Sequence, residues 1–334
     1  MKTLDEPFIP RSQVKGSFSA DHTPVLRVTP GTGQLITVET SDDSFIQMDQ
    51  LRDVSKVTAI RNAVTGPIWV EGAEPGDVLS VTIHDIKTSD QGWSVYIPGA
   101  GALANRMGAE MFVRRIPLRD GRAQLTSRLS VPIQPMIGCI GVAPAEGEAR
   151  NILPCYVTGG NMDIPDVAPG ATLHLPVKAP GAFLALGDLH AAMAKGESSF
   201  IAIETAGRVT ISLDLVKGVS LRSPRIDTGR EVICVGLGNP VQSAITAAYE
   251  DLFDHLVTER GWGAEDAYVV MSAVADTELG GPVGSELPDS RHPMKPVGAV
   301  TLARMAKEVI EVHASLPGWS TANGNSGAQA KSTY

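Results

Sequence analysis

The sequence predicts a β-rich body of antiparallel, sandwich- or barrel-like sheets, followed by an α+β C-terminal part. Three observations predict it. Four Pro-Gly pairs each lead into an apolar-alternating run, 34 glycines and 23 prolines punctuate short apolar segments, and helical spacing takes over near residue 237. Both residue types exceed their ordinary shares of about 7% and 5%. They sit at the ends of short runs, which is the arrangement of many tight turns.

The four turn-then-strand units are "VTPGTGQLITVET", "AEPGDVLSVTIHDI", "VAPGATLHLPV" and "KAPGAFLALGDLH". Proline presets φ for the second position of a tight turn, and glycine accepts the positive φ that a type II turn needs next. Leu79, Val81 and Ile83 then alternate with Ser80, Thr82 and His84, the period of a half-buried strand. The copies are too unequally spaced for a solenoid repeat. "SSFIAIETAGRVTISLDLV" reads as a hairpin-like continuation. Asn239 can then cap a helix with Pro240 at its first position. Val241, Ile245, Ala248, Leu252 and Leu256 recur at helical spacing until Gly261. A second helix is expected over Ala264–Ala275 and a third over roughly Thr301–His313. The expected division is a β-rich domain over 1–150, an α+β domain over 151–318, and a small, polar, disordered tail over 319–334.

With 43% hydrophobic and 19% charged residues the composition is that of a soluble globular protein. The net charge is −9 and no basic cluster exceeds the pair Arg114–Arg115, which argues against nucleic acid or an anionic membrane surface as partner. The N-terminus "MKTLDEPFIPRSQVKG" has no apolar core of signal-peptide length, and no stretch of about 18 apolar residues occurs. Cys139, Cys155 and Cys234 are an odd, widely spaced set, which reads as reduced thiols and a cytoplasmic location.

Several stretches carry chemistry. In "GDLHAAMAKGE", Asp188 and His190 are two apart, so on a strand they share a face and can converge on one ion. Small alanines then let the chain return Glu197 to the same place. A histidine with carboxylates and no thiolate suits Zn²⁺ with an open position, or a harder ion such as Mn²⁺. A solvated strand end around a hydrogen-bonded histidine reads equally well from the pattern. In "TGGNMD", Gly159 and Gly160 permit close backbone approach, and Asn161 and Asp163 offer oxygen ligands or amide hydrogen bonds, although a plain Gly-Asn turn has the same spacing. Glu71 follows an apolar strand in "GPIWVEGAEPGD", where part-burial would raise its carboxyl toward general-base range, unless it is simply a loop acid beside Glu74. Cys155 is the thiol nearest these motifs and a minor candidate for covalent catalysis. "VYIPGAGALANRMG" lacks the helix and downstream acid of a dinucleotide site, and no G-x-S-x-G elbow occurs.

Taken together, "GPIWVEGAEPGDVLSVTIHDI", "PMIGCIGVAPAEGE", "GGNMDI", "LGDLHAAMAKGES" and "EDAYVVMSAVAD" resemble, in order and spacing, the acetamidase/formamidase family, over about Pro24 to Leu287. The resemblance implies a β-rich fold with α+β segments, usually oligomeric. It implies hydrolysis of the carbon–nitrogen bond of small amides to a carboxylate and ammonia. Some relatives act on lactams, and some hold zinc or calcium. Carried over by motif, it places Asn161 and Asp163, then Asp188, His190 and Glu197, and Glu71 at the site. The family often has histidine where Thr158 stands, and Gly-Asp-Gly-Glu where this chain reads Ala194-Lys195-Gly196-Glu197. Those departures bear on the metal complement and the substrate rather than the fold.

The expectation is therefore a metal-assisted amidase acting on a small neutral amide and assembling as a homo-oligomer. Asp188, His190 and Asp163 would hold a divalent metal, zinc first, with calcium or manganese as alternatives. Glu71, Glu197 and His190 would be the catalytic side chains, one of the two glutamates moving the proton. Asn161 and the backbone N–H groups of Gly159 and Gly160 would hold substrate and oxyanion. The alternatives are a non-catalytic β-sandwich binding a small ligand or metal on the same residues, and an amidase using Cys155 covalently.

Overall fold

The computed structural model describes residues 6–281 and 299–315. Each Pro-Gly pair is followed by a strand: Ile36–Glu39, Val78–Tyr96, Thr172–Pro176 and Leu184–Ala192. The glycine of the pair takes positive φ, as at Gly76 (95°) and Gly181 (79°). Apart from a separate pairing of Ser17–Ser19 with Ala149–Asn151, the strands form one continuously paired sheet, mostly antiparallel. Val78–Tyr96 is its spine. Thr172–Pro176 lies along one side of it, and Ile203–Val216 pairs with it from Glu204↔Trp93 to Val216↔Val78. The alternating positions Leu79, Val81, Ile83, Leu173, Leu175, Val209, Ile211 and Leu213 all turn into one core. Each such side chain contributes about 1.5–3 kcal/mol on burial.

"LALGDLHAA" differs, because eight of its nine residues are buried. Its one edge pairs with Met136–Gly141. Its other edge pairs first with Val64–Val70, up to Gly187↔Val64, and then with Ile203–Val216, from Leu189↔Thr205. The change of partner falls at Asp188, whose φ is 57°.

The C-terminal part adds Glu231–Gly238, paired along its length with Ala299–Ala306, and the helix Val241–Asp254 laid across it. The helix lies so close that a Cβ at Gly236 would meet the Ala244 carbonyl oxygen at 2.0 Å. Strands on either side of residue 150 pair directly, Val64–Val70 with Leu184–Ala192 and Val78–Tyr96 with Ile203–Val216, so the expected division there falls inside one paired framework.

Three sequence readings need correction. The hairpin-like stretch is one continuous strand over Ile203–Val216 that absorbs two register shifts. Pro240 occupies the cap position and the helix begins at Val241. The third helix covers only Lys307–Ser315, because Val300–Met305 is strand, held in register by the whole of Glu231–Gly238. The expected tail over 319–334 lies outside the described residues. No helix among the described residues is long and apolar enough to cross a membrane.

Candidate active site

The partner change at Asp188 creates the site. Leu184–Ala192 carries Asp188 and His190, Ile203–Val216 carries Glu204 directly across from His190, and Asp163 follows the Gly159–Asn161 strand. Glu197 comes back on the turn after Ala192. His190 Nε2 lies 3.3 Å from Glu204 Oε2, 3.7 Å from Asp188 Oδ2 and 3.9 Å from Asp163 Oδ1. The ligand atoms of His190, Glu197 and Glu204 lie within 4.8 Å of one another, and so do those of Asp163, Asp188 and His190. All five residues are buried.

Three of these residues hold left-handed backbone: Asp163 at φ 47°, Asp188 at 57° and Glu197 at 35°. Such conformations cost about 1–3 kcal/mol each, rather less for aspartate, and persist where surrounding packing enforces them. Gly138, opposite Asp188 on the neighbouring strand, forms the floor. A Cβ there would come within 2.6 Å of Asp163 Oδ1 and 2.8 Å of Asp188 Oδ2.

Four carboxyl groups around one imidazole cannot all be ionised out of water without a counter-charge. Burial, with the charges of its neighbours, pushes Asp163 well above the usual carboxylate range, and burial likewise raises Glu197 and Glu204. Burial alone would lower His190, but the facing Glu204 and Asp188 outweigh it and raise the imidazole well above its ordinary value. Among the described residues, Asp163 Oδ1, Glu204 Oε2 and His190 Nδ1 are buried without a hydrogen-bond partner. A bound cation would supply that counter-charge. One imidazole nitrogen with carboxylate oxygens at 3.3–3.9 Å from it is a donor set that suits a shared ion. The cluster can therefore bind a metal ion.

Beside it lies a cavity of about 70 Å³. Asn161, Asp163, Asp188, Glu197 and Glu204 form its polar side, with Arg61 and Asn62, while Phe45, Met48, Ile97 and Ile201 are among its apolar lining. This is room for a few waters or one small ligand.

Not every expected residue arrives here. Glu71 is half exposed on the surface, facing Arg27 at 3.8 Å, so the part-burial that would have made it a base is absent. Gly159 and Gly160 do not line the cavity; their strand is paired on both edges, with Ile140 and Gly141 along one and Cys155 and Tyr156 along the other. Their lack of side chains serves close approach, since a Cβ at Gly159 would lie 2.3 Å from the Ile140 carbonyl oxygen. Cys155 is buried, and burial together with the Asp163 charge pushes its thiol far up, the opposite of an activated nucleophile. Lys195 turns to Glu278 and Asp166, away from the cluster. Glu204 and Asn62 escaped the sequence reading. The one available signal for Glu204 was a lone carboxylate in the apolar run "FIAIETAG".

The profile of the Acetamidase/Formamidase family matches residues 10–147 and 134–290, and the chain belongs to that family. A formamidase from Methylophilus methylotrophus is 26% identical over 266 residues, 61% of each chain. The acetamidase structure from Bacillus halodurans superposes with a TM-score of 0.79 at 28% identity, covering 91% of this chain and 99% of that one. For the acetamidase structure from Yersinia enterocolitica the TM-score is 0.78 at 30% identity, with 91% and 92% covered. The chain spans about three fifths of the length of the curated relatives it matches.

Proposed function

We propose that the protein hydrolyses small uncharged amides to a carboxylate and ammonia, with a divalent ion held by Asp163, Asp188, His190 and Glu204. The observation that carries the reading is the buried His-carboxylate cluster, with unpartnered oxygens on Asp163 and Glu204, opening on a cavity of about 70 Å³. Family membership and relatives named formamidase and acetamidase support the reaction class.

The ion, when bound, supplies Lewis-acid polarisation of the amide carbonyl and lowers the pKa of water toward neutrality. Glu197 lines the cavity beside the four ligands and is the proton carrier, and burial raises its carboxyl above the usual carboxylate range. It accepts the proton of the attacking water as the carbon–oxygen bond forms, then delivers it to the nitrogen as the carbon–nitrogen bond breaks. Such a base accounts for about 10²–10⁴-fold, leaving electrostatic stabilisation to supply the larger part. Asn161 borders the cavity, and the amide hydrogen and oxygen lone pair left over from its bonds to Asp163 and Asn62 would hold the substrate amide. The apolar lining from Phe45, Met48 and Ile201 offers contact to a short acyl group.

We assign zinc as the ion on its donor set, with manganese or calcium as alternatives. The three buried free cysteines favour a cytoplasmic setting. Exposed apolar side chains on the outer helices, Val241, Tyr268 and Val269, favour a homo-oligomer. The test is metal content by plasma mass spectrometry together with ammonia release from formamide, acetamide and a γ-lactam, before and after chelation. Stoichiometric metal and activity lost on chelation support the reading. Activity that persists at full rate without metal overturns the role of the ion, and no hydrolysis of any amide by metal-loaded protein overturns the function.

A further inference from the structure

Asn62 lies on the loop that precedes the Val64–Val70 strand, a hundred residues away in sequence from the cluster, and its backbone is left-handed at φ 51°. Asparagine tolerates that conformation better than most residues, because its short side chain can hydrogen-bond locally. Here the side chain is directed to the site. Its Nδ2 donates to Asp188 Oδ2 at 3.0 Å and to Asn161 Oδ1 at 3.1 Å. The Asn161 Nδ2 in turn donates to Asp163 Oδ2.

The orientation of both amides suits carboxylates that hold a cation. A carboxylate acting as ligand only accepts hydrogen bonds, so each amide presents its NH₂ to one, and the Asn161 oxygen is left to accept from Asn62. The consequence is a division of labour within Asp163. Its Oδ2 is held by Asn161, while its Oδ1 stays free and aimed at His190. Asp188 is held from the other side by Asn62 itself. One loop residue thereby ties together two carboxylates that come from separate segments of the chain and that burial and mutual repulsion would otherwise drive apart.

We propose that Asn62 is a positioning residue for the cation: it orients Asp188 directly and Asp163 through Asn161, and so sets the ion affinity of the cluster. This rests on the reading of the cluster as an ion site. Outer partners of ligating groups characteristically control affinity by about 10–100-fold when removed.

The experiment measures zinc and manganese binding to metal-free protein by competition with a chromophoric chelator, for wild type and for Asn62→Ala, Asn62→Gln, Asn161→Ala and the double alanine variant. Asn62→Ala is expected to weaken binding about 10–100-fold and to lower kcat for formamide more than it changes KM. The double variant should lose less than the product of the two single losses, because one residue acts through the other. Asn62→Gln, which keeps the donor on a longer stem, should recover part of the affinity. A fall in melting temperature with ion affinity unchanged in any folded variant would mean a purely structural role and overturn the proposal. If Asn62→Ala does not fold, the same comparison on Asn62→Gln and Asn161→Ala decides. Wild type that binds neither ion removes the ion-site reading and this proposal with it, whereas wild type that binds with both Asn62 variants unchanged removes only the role of Asn62.

Discussion

Replacing Gly138 with alanine is the sharpest perturbation of this site, because it adds a single methyl group where the cluster leaves none to spare. The added Cβ would lie 2.6 Å from Asp163 Oδ1 and 2.8 Å from both the Asp188 carbonyl oxygen and its Oδ2. Ordinary contact begins near 3.4 Å, so Asp163 Oδ1 has to move by about 0.8 Å. Asp163 cannot swing away freely, because its amide donates to the Gly138 carbonyl at 3.1 Å and its other oxygen is held by Asn161. A displacement near 1 Å in a reacting constellation costs on the order of 10²-fold in rate. Overpacking a filled interior costs about 1–3 kcal/mol, a drop of a few degrees in melting temperature for a chain of this size. The assay is ammonia release from formamide with zinc content measured on the same preparation, alongside a thermal melt. Gly108→Ala is the control, since its Cβ would meet nothing within 4 Å. A folded Gly138→Ala protein that keeps wild-type metal content and activity within about threefold would refute the placement of the ion between Asp163 and Asp188.

Three further outcomes are expected. Glu204→Gln preserves shape while removing the carboxylate nearest His190 Nε2, and should weaken zinc binding by at least about tenfold with little loss of melting temperature; equal zinc affinity would exclude Glu204 as a ligand. Glu71→Ala should retain activity within about threefold, since this half-exposed group touches Arg27 rather than the cluster, and loss of turnover would restore it as a base. Glu259 concerns the fold rather than the site. Burial alone would raise its carboxyl, yet hydrogen bonds from His255 and Arg225 hold it at about 2, below its unfolded value of 4.5. Its contribution is therefore complete above about pH 4.5 and lost as pH falls toward 2. Solvent screening at a side chain 36% exposed leaves about 1 kcal/mol of it. In urea titrations the gap between wild type and Glu259→Gln should shrink from neutral pH toward about pH 3, and a gap independent of pH would contradict this account.

Much of the architecture was legible in the sequence because it is encoded locally. Pro-Gly turns, the two-residue alternation after Leu79 and the helical spacing from Val241 are properties of neighbouring residues, and the strands and helix stand where those signals lie. Local signals failed where a distant partner decides. Thr301–Met305 reads as helix until Glu231–Gly238 pairs with it, and Ile203–Val216 reads as a hairpin until Val78–Tyr96 holds it straight.

The same boundary runs through the site. The sequence by itself singled out two motifs, GGNMD and GDLHAA, and the structure brings their Asp163, Asp188 and His190 together. Only the tertiary structure decided that Glu204 faces His190, that Asn62 reaches Asp188 from a remote loop, that Gly138 is the floor, and that Glu71 stays at the surface. The reason is physical. A carboxylate becomes a ligand or a base through burial and through the charges facing it, and both are set by strand register and by segments far away in the chain.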